Sequence, residues 1–159
     1  MTERNRTYYL QEKILECIAE QEKLCIERDE PLNWERLHMA SSARLAWTMA
    51  LERGADPELA SSAAAIHDIG RIVTGKAVGH AEAGEEPARA LLKELGLYSE
   101  EEIDVIATAV KNHSKKHEMG SLIEEIVKDT DVVDCVLYGY GSYYRPEIKE
   151  RYEKWLSSR

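Results

Sequence analysis

Cysteine is scarce in this chain and poorly arranged for pairing. Cys17, Cys25 and Cys135 are three among 159 residues, an odd number with no short paired spacing. A disulfide framework, a zinc finger and a redox dithiol are therefore set aside, and reduced core thiols are expected instead. Positive charge is short as well: 21 Lys and Arg face 30 Asp and Glu, a formal net charge of -9. Such a chain repels polyanions at long range, which excludes a general DNA- or RNA-coating role and leaves a small anion held by local cations. No apolar run approaches the roughly 20 residues that span a bilayer. Met1-Thr2-Glu3-Arg4-Asn5-Arg6 leads straight into amphipathic sequence without a secretion-signal core, so no membrane partner and a cytoplasmic location are expected. Period-two strands, internal repeats and low-complexity segments are also missing. An all-α chain remains, long enough for a single domain over residues 1–159 and too short for two.

The helical signals are strong. Leu10, Ile14, Cys17, Ile18, Leu24 and Cys25 recur at helical spacing and predict an amphipathic first helix over 7–28, a surface also suited to homodimerisation. A second helix is expected over 32–53, with Leu37, Ala40, Ala43, Leu45, Ala46, Met49 and Ala50 facing the core and Gly54 closing it. Asp56-Pro57 opens a third, alanine-rich helix, and Gly70 is expected to stop it. A loop to Gly79 follows, then a segment from His80 in which Pro87 either kinks a helix or starts a new one. Ser99-Glu100-Glu101-Glu102 and Ser121-Leu122-Ile123-Glu124 are capping boxes that open two more helices. Gly139 and Gly141 break the second of these, and Pro146 begins a polar helix over 146–158.

The chemistry concentrates in Ala63-Ala64-Ala65-Ile66-His67-Asp68-Ile69-Gly70-Arg71. A carboxylate at the end of a buried helix is costly unless a cation compensates it. Imidazole and carboxylate are ordinary ligands for divalent transition metals, and the negative end of the helix dipole favours a cation too. Taken alone, the pair reads more readily as a structural aspartate beside a satisfied core histidine than as a metal site. Other histidines stand at His38, His80 and His113, while Asp129, Asp131 and Asp134 share one later helix. His117 reads as a solvated loop residue.

That order, a helical His, then His-Asp, then a distant helical Asp, resembles the HD superfamily of metal-dependent phosphohydrolases. The resemblance spans about 32 to 140 and implies an HD-domain helical bundle. It implies His38, His67, Asp68 and Asp131 as ligands of one ion, with Asp131 chosen over Asp129 and Asp134 by family position. Members with two ions add two histidines between these, which points to His80 and His113 with Asp68 bridging. His80-Ala81-Glu82-Ala83-Gly84, Asn112-His113-Ser114 and Ser121-Leu122-Ile123-Glu124 are most similar to the hydrolases of diadenosine tetraphosphate and related nucleotides, although the loop after His-Asp is short here. The function so implied is hydrolysis of a phosphomonoester or pyrophosphate bond in a small, nucleotide-like substrate by metal-activated hydroxide. The ion would be Fe, Mn, Co, Ni or Zn, one or two per chain. The catalytic groups so expected are Asp68, as the bridging ligand, with Arg71 and Lys115 or Lys116 as the phosphate-binding cations, Lys115 the first choice. Tyr138, Tyr140, Tyr143 and Tyr144 either stack a base or close a small core. The same ligand set also suits a di-iron oxygenase, and a decayed set would suit a non-catalytic nucleotide-binding module.

Overall fold

A computed structural model describes residues 4–141 and 144–159, so Tyr143 lies outside the described residues. Among them every regular element is helical: α1 (Arg6–Glu22), α2 (Leu32–Arg53), α3 (Pro57–Ile66), α4 (Ile69–Thr74), α5 (His80–Ala83), α6 (Glu85–Leu95), α7 (Glu100–Asn112), α8 (Leu122–Leu137) and α9 (Pro146–Ser157). None of these is long and apolar enough to cross a membrane.

The helix around which the others gather is α3. The Asp56 carboxylate accepts from the amides of Glu58 and Leu59 at 2.9 and 3.0 Å, and Pro57 takes the first helical position. Ala60, Ala63 and Ala64 are fully buried, and their lone methyl groups let α1, α2, α7 and α8 close around the axis. Its buried hydroxyls are satisfied, as burial requires: Ser61 donates to the carbonyl of Ala43, and Ser62 shares protons with Thr7 and Tyr98 at 2.8 Å each. Both capping boxes form, at Ser99 with Glu102 and at Ser121 with Glu124. Each cap contributes about 1 kcal/mol by the usual cost of its removal.

Several local expectations need correction. The first helix ends at Glu22 rather than near Arg28; Leu24 and Cys25 continue the apolar period but are exposed, and Cys25 takes a left-handed φ of 51°. Its buried face, Leu10, Ile14 and Ile18, is used inside the chain. Cys25 is thus not a core thiol, while Cys17 and Cys135 are half-buried. On α2, Leu37 and Ala40 face outward, because the buried stripe runs through Trp34, Glu35, His38, Met39, Ser42, Ala43 and Ala46, to which neither belongs.

Gly70 does not stop α3. That helix ends at Ile66, the chain turns at His67-Asp68, and Gly70 sits inside α4. A Cβ there would collide with the carbonyl oxygen of His80 and lie 2.6 Å from the nitrogen of Gly84, so this glycine permits α5 to cross α4 at backbone contact. Pro87 resolves as the third residue of a new helix, α6, where no intrahelical acceptor awaits its missing N–H.

Candidate metal centre

Five elements deliver the histidines and carboxylates singled out in the sequence. His38 comes from the middle of α2, His67 caps α3, and Asp68 follows in the turn before α4; His80 opens α5, His113 caps α7, and Asp131 lies on α8. The break between α3 and α4 matters most, because it lets two consecutive side chains reach one centre. His67 Nε2 lies 3.3 Å from Asp68 Oδ2.

The donor atoms form two groups that share Asp68. In the first, Nε2 of His38 is 3.1 Å from Nε2 of His67, 3.1 Å from Asp131 Oδ1 and 3.6 Å from Asp68 Oδ2. In the second, Nε2 of His80 is 2.9 Å from Nε2 of His113 and 3.0 Å from Asp68 Oδ1, with His113 Nε2 at 3.5 Å from that oxygen. Ligands around an ion with metal–nitrogen bonds of about 2.0–2.1 Å stand roughly 3 to 3.5 Å apart, so both groups have the spacing of a coordination sphere.

The far side of each imidazole fixes which nitrogen is offered. Nδ1 of His67, His80 and His113 faces the carbonyl oxygens of Ala64, Ala77 and Val110 at 2.6, 2.6 and 2.7 Å, and Nδ1 of His38 faces Asp134 Oδ2 at 2.6 Å. Carbonyl and carboxylate oxygens only accept, so each Nδ1 carries a proton and donates it. All four Nε2 atoms therefore point inward, the arrangement seen where outer partners orient metal-binding histidines. Facing lone pairs at 3 Å repel one another unless a cation or a proton lies between them. The donor set thus fits a divalent ion.

In the metal-free protein, protons take up that role. Burial opposes charge on His67, yet Asp68 and Asp131 overcome it and raise its pKa to about 10. His113 goes the other way, lowered by burial to about 4. Burial also disfavours ionised Asp68 and Asp131, but His67 with Arg71 for the former, and Lys116 with His38 for the latter, hold both well below the ordinary carboxylate range.

Two cations flank the cluster. Arg71 pairs with Asp68 Oδ2 and donates from Nε to Glu35 Oε1 at 2.7 Å. Burial and the charge of Asp68 push the carboxyl of Glu35 up to about 7, against the pull of Arg71. Lys116, rather than Lys115, reaches the centre: its Nζ is 2.5 Å from Asp131 Oδ2 and from the carbonyl oxygen of His113. Lys115 is half-buried and has no side-chain ion pair among the described residues.

Asp129 belongs elsewhere, held by Arg53 at 2.8 Å and Arg151 at 2.6 Å, while Asp134 orients His38. Glu35 and the orienting role of Asp134 were missed in the sequence, although the spacing held a signal. Glu35 precedes His38 by three residues and Asp134 follows Asp131 by three, hence each shares a helix face with a ligand candidate. The aromatics gather at the outer edge of His38: Trp34 stacks on His38 and on Tyr140, with centroids 4.8 and 4.0 Å apart, and meets the exposed Tyr138 edge-on. Tyr144 is exposed. Beside Asp131 a cavity of about 90 Å³ opens between Lys116, Cys135, Tyr140 and Gly141.

A family model described as the HD domain matches residues 37–135. Among solved structures, the chain is similar to a protein from an uncultured Thermotogales bacterium described as a predicted HD superfamily hydrolase. The two share 22% identity at a TM-score of 0.66, over 97% of this chain and 89% of that one. At that identity the likeness concerns the fold. No curated protein matches the sequence.

Proposed function

The chain belongs to the HD domain family, and from that premise we propose that it is a metal-dependent phosphohydrolase acting on a small phosphorylated compound, a nucleotide by preference. In this reading His38, His67, Asp68 and Asp131 would hold one divalent ion, and His80 and His113, together with Asp68, would hold a second. Mixed imidazole and carboxylate donors suit Fe, Mn, Co, Ni or Zn. The observation that carries the reading is the convergence of four inward Nε2 atoms on the two oxygens of a single aspartate.

The protein's own groups account for binding and orientation. Asp134 and the carbonyls of Ala64, Ala77 and Val110 hold the Nδ1 side of each imidazole, so the Nε2 side of each is turned toward the position a cation would take. Arg71 anchors Asp68 against Glu35, and Lys116 does the same for Asp131. A divalent ion at such a site supplies Lewis acidity to a phosphoryl oxygen and acidifies water toward neutral pH. Asp68 and Asp131 together do not cancel two dications, so a phosphate is attracted in spite of the acidic surface. The cavity beside Asp131, at about 90 Å³, has room for a phosphoryl-sized group with Lys116 at its edge. A whole drug-sized ligand takes about 300 Å³ or more, which leaves a nucleoside moiety outside it.

The test is hydrolysis of nucleoside monophosphates and dinucleoside polyphosphates, with release of phosphate and nucleotide followed chromatographically after reconstitution with each candidate metal. Activity that needs the metal and disappears in His67→Ala supports the reading. A fully loaded protein that cleaves none of these substrates but consumes oxygen when iron is added would replace it with oxidative chemistry.

A further inference from the structure

Cys135 follows Asp131 by four residues on α8, one turn further along the same face. Its Sγ stands 3.5 Å from Asp131 Oδ1. A ring nitrogen of His38, a carboxylate oxygen of Asp131 and this sulfur all lie within 4.8 Å of one another. Since Nδ1 of His38 donates to Asp134, the nitrogen open to an ion is Nε2. The thiol is half-buried and lines the cavity beside Asp131, so a small ion can reach it. Among the described residues, neither Cys17 nor Cys25 joins such a group. The two nitrogen–oxygen sets described above leave this sulfur unused.

We propose that Cys135 completes an alternative donor set with His38 and Asp131 that captures thiophilic ions such as Cd²⁺ or Zn²⁺ in competition with the ion of the hydrolytic arrangement. The inference rests on the reading of the metal centre given above. Thiolate selects softer ions, whereas carboxylate and water suit Mn²⁺, so one cysteine changes the preference of two shared ligands. On capture the S–H bond breaks, its proton leaves to solvent past Asp131, and a metal–sulfur bond forms without any change in oxidation state. Because His38 and Asp131 serve both sets, an ion held through sulfur excludes the other from its full coordination.

The test uses the full-length chain with Cys17→Ser and Cys25→Ser, in which Cys135 is the single thiol, freed of metal and titrated anaerobically with Co²⁺. Visible ligand-field bands report any bound cobalt, and an ultraviolet charge-transfer band reports a cobalt–thiolate bond. Both are expected, and adding Cys135→Ser should remove the ultraviolet band alone. In competition titrations the same substitution should weaken Cd²⁺ binding on the order of tenfold or more and leave Mn²⁺ binding within about twofold. Ligand-field bands without charge transfer in the single-thiol protein would overturn the role of Cys135 while leaving the metal centre standing. No cobalt uptake at all would overturn both.

Discussion

Gly70→Ala is the substitution that separates the two halves of the candidate metal centre. A methyl group at this position meets backbone only: the carbonyl oxygen of His80, and Gly84 nitrogen and Cα at 2.6 and 2.9 Å. No side-chain rotation relieves such contacts, so α5 has to move away from α4, on the order of 1 Å to regain ordinary van der Waals distance. Overpacking of this kind costs about 1–3 kcal/mol. At about 2–4 °C per kcal/mol for a chain of this size, the melting temperature should fall by roughly 2–12 °C. The displaced helix carries His80, whose Nε2 sits 3.0 Å from Asp68 Oδ1. His38, His67 and Asp131 are on elements the methyl group does not touch. Calorimetric titration with Mn²⁺ should therefore show the second ion weakened by about 10- to 100-fold, the range for disturbed supporting contacts, with the first nearly unchanged. Gly96→Ala is the control: it has a φ of 67° and open space around it, so it should lose stability without altering metal binding. Two tight ions and an unchanged melting temperature in Gly70→Ala would mean that the crossing of α4 and α5 does not set the position of His80.

Three further outcomes follow from the same geometry. Asp134→Asn removes the charged acceptor for Nδ1 of His38, and affinity for the first ion should drop about 10- to 100-fold by the same titration. Arg71→Ala leaves Glu35 and Asp68 buried without their cation; breaking such a pair costs about 3–5 kcal/mol, and thermal unfolding should show a larger loss with chelator present than with metal bound. In the metal-free protein His67 has its pKa raised to about 10 from a reference of 6.5, so its proton stabilises that form fully below 6.5, and this contribution fades as the pH climbs to 10. Metal has to displace the proton, so affinity should rise with pH across this window, with proton release measurable by calorimetry in buffers of different ionisation enthalpy.

Much of the frame was legible because local signals wrote it. Asp56-Pro57 and the capping boxes at Ser99 and Ser121 act within one turn of chain, and each helix begins where they stand. The structure also gathers His38, His67, Asp68, His80, His113 and Asp131, which the resemblance had named in order. What sequence could not give depends on distant partners. Gly70 reads as a helix stop until the crossing of α5 is known. Leu24 and Cys25 keep an apolar rhythm after the helix has ended, because periodicity does not report where a neighbour stops covering it. Lys115 and Lys116 are adjacent, and only the path of the turn after α7 decides which ammonium meets Asp131. Arg71 looked free for phosphate, but Glu35, thirty-six residues earlier, already holds it.

On this reading the four inward imidazole nitrogens surround metal rather than protons alone. Elemental analysis of protein purified without chelator and without an immobilised-nickel column decides between the two. About one to two transition-metal ions per folded chain are expected, lost in His67→Ala. A well-folded wild-type protein that carries none, and takes up neither Mn²⁺, Fe²⁺ nor Co²⁺ at neutral pH, would contradict it.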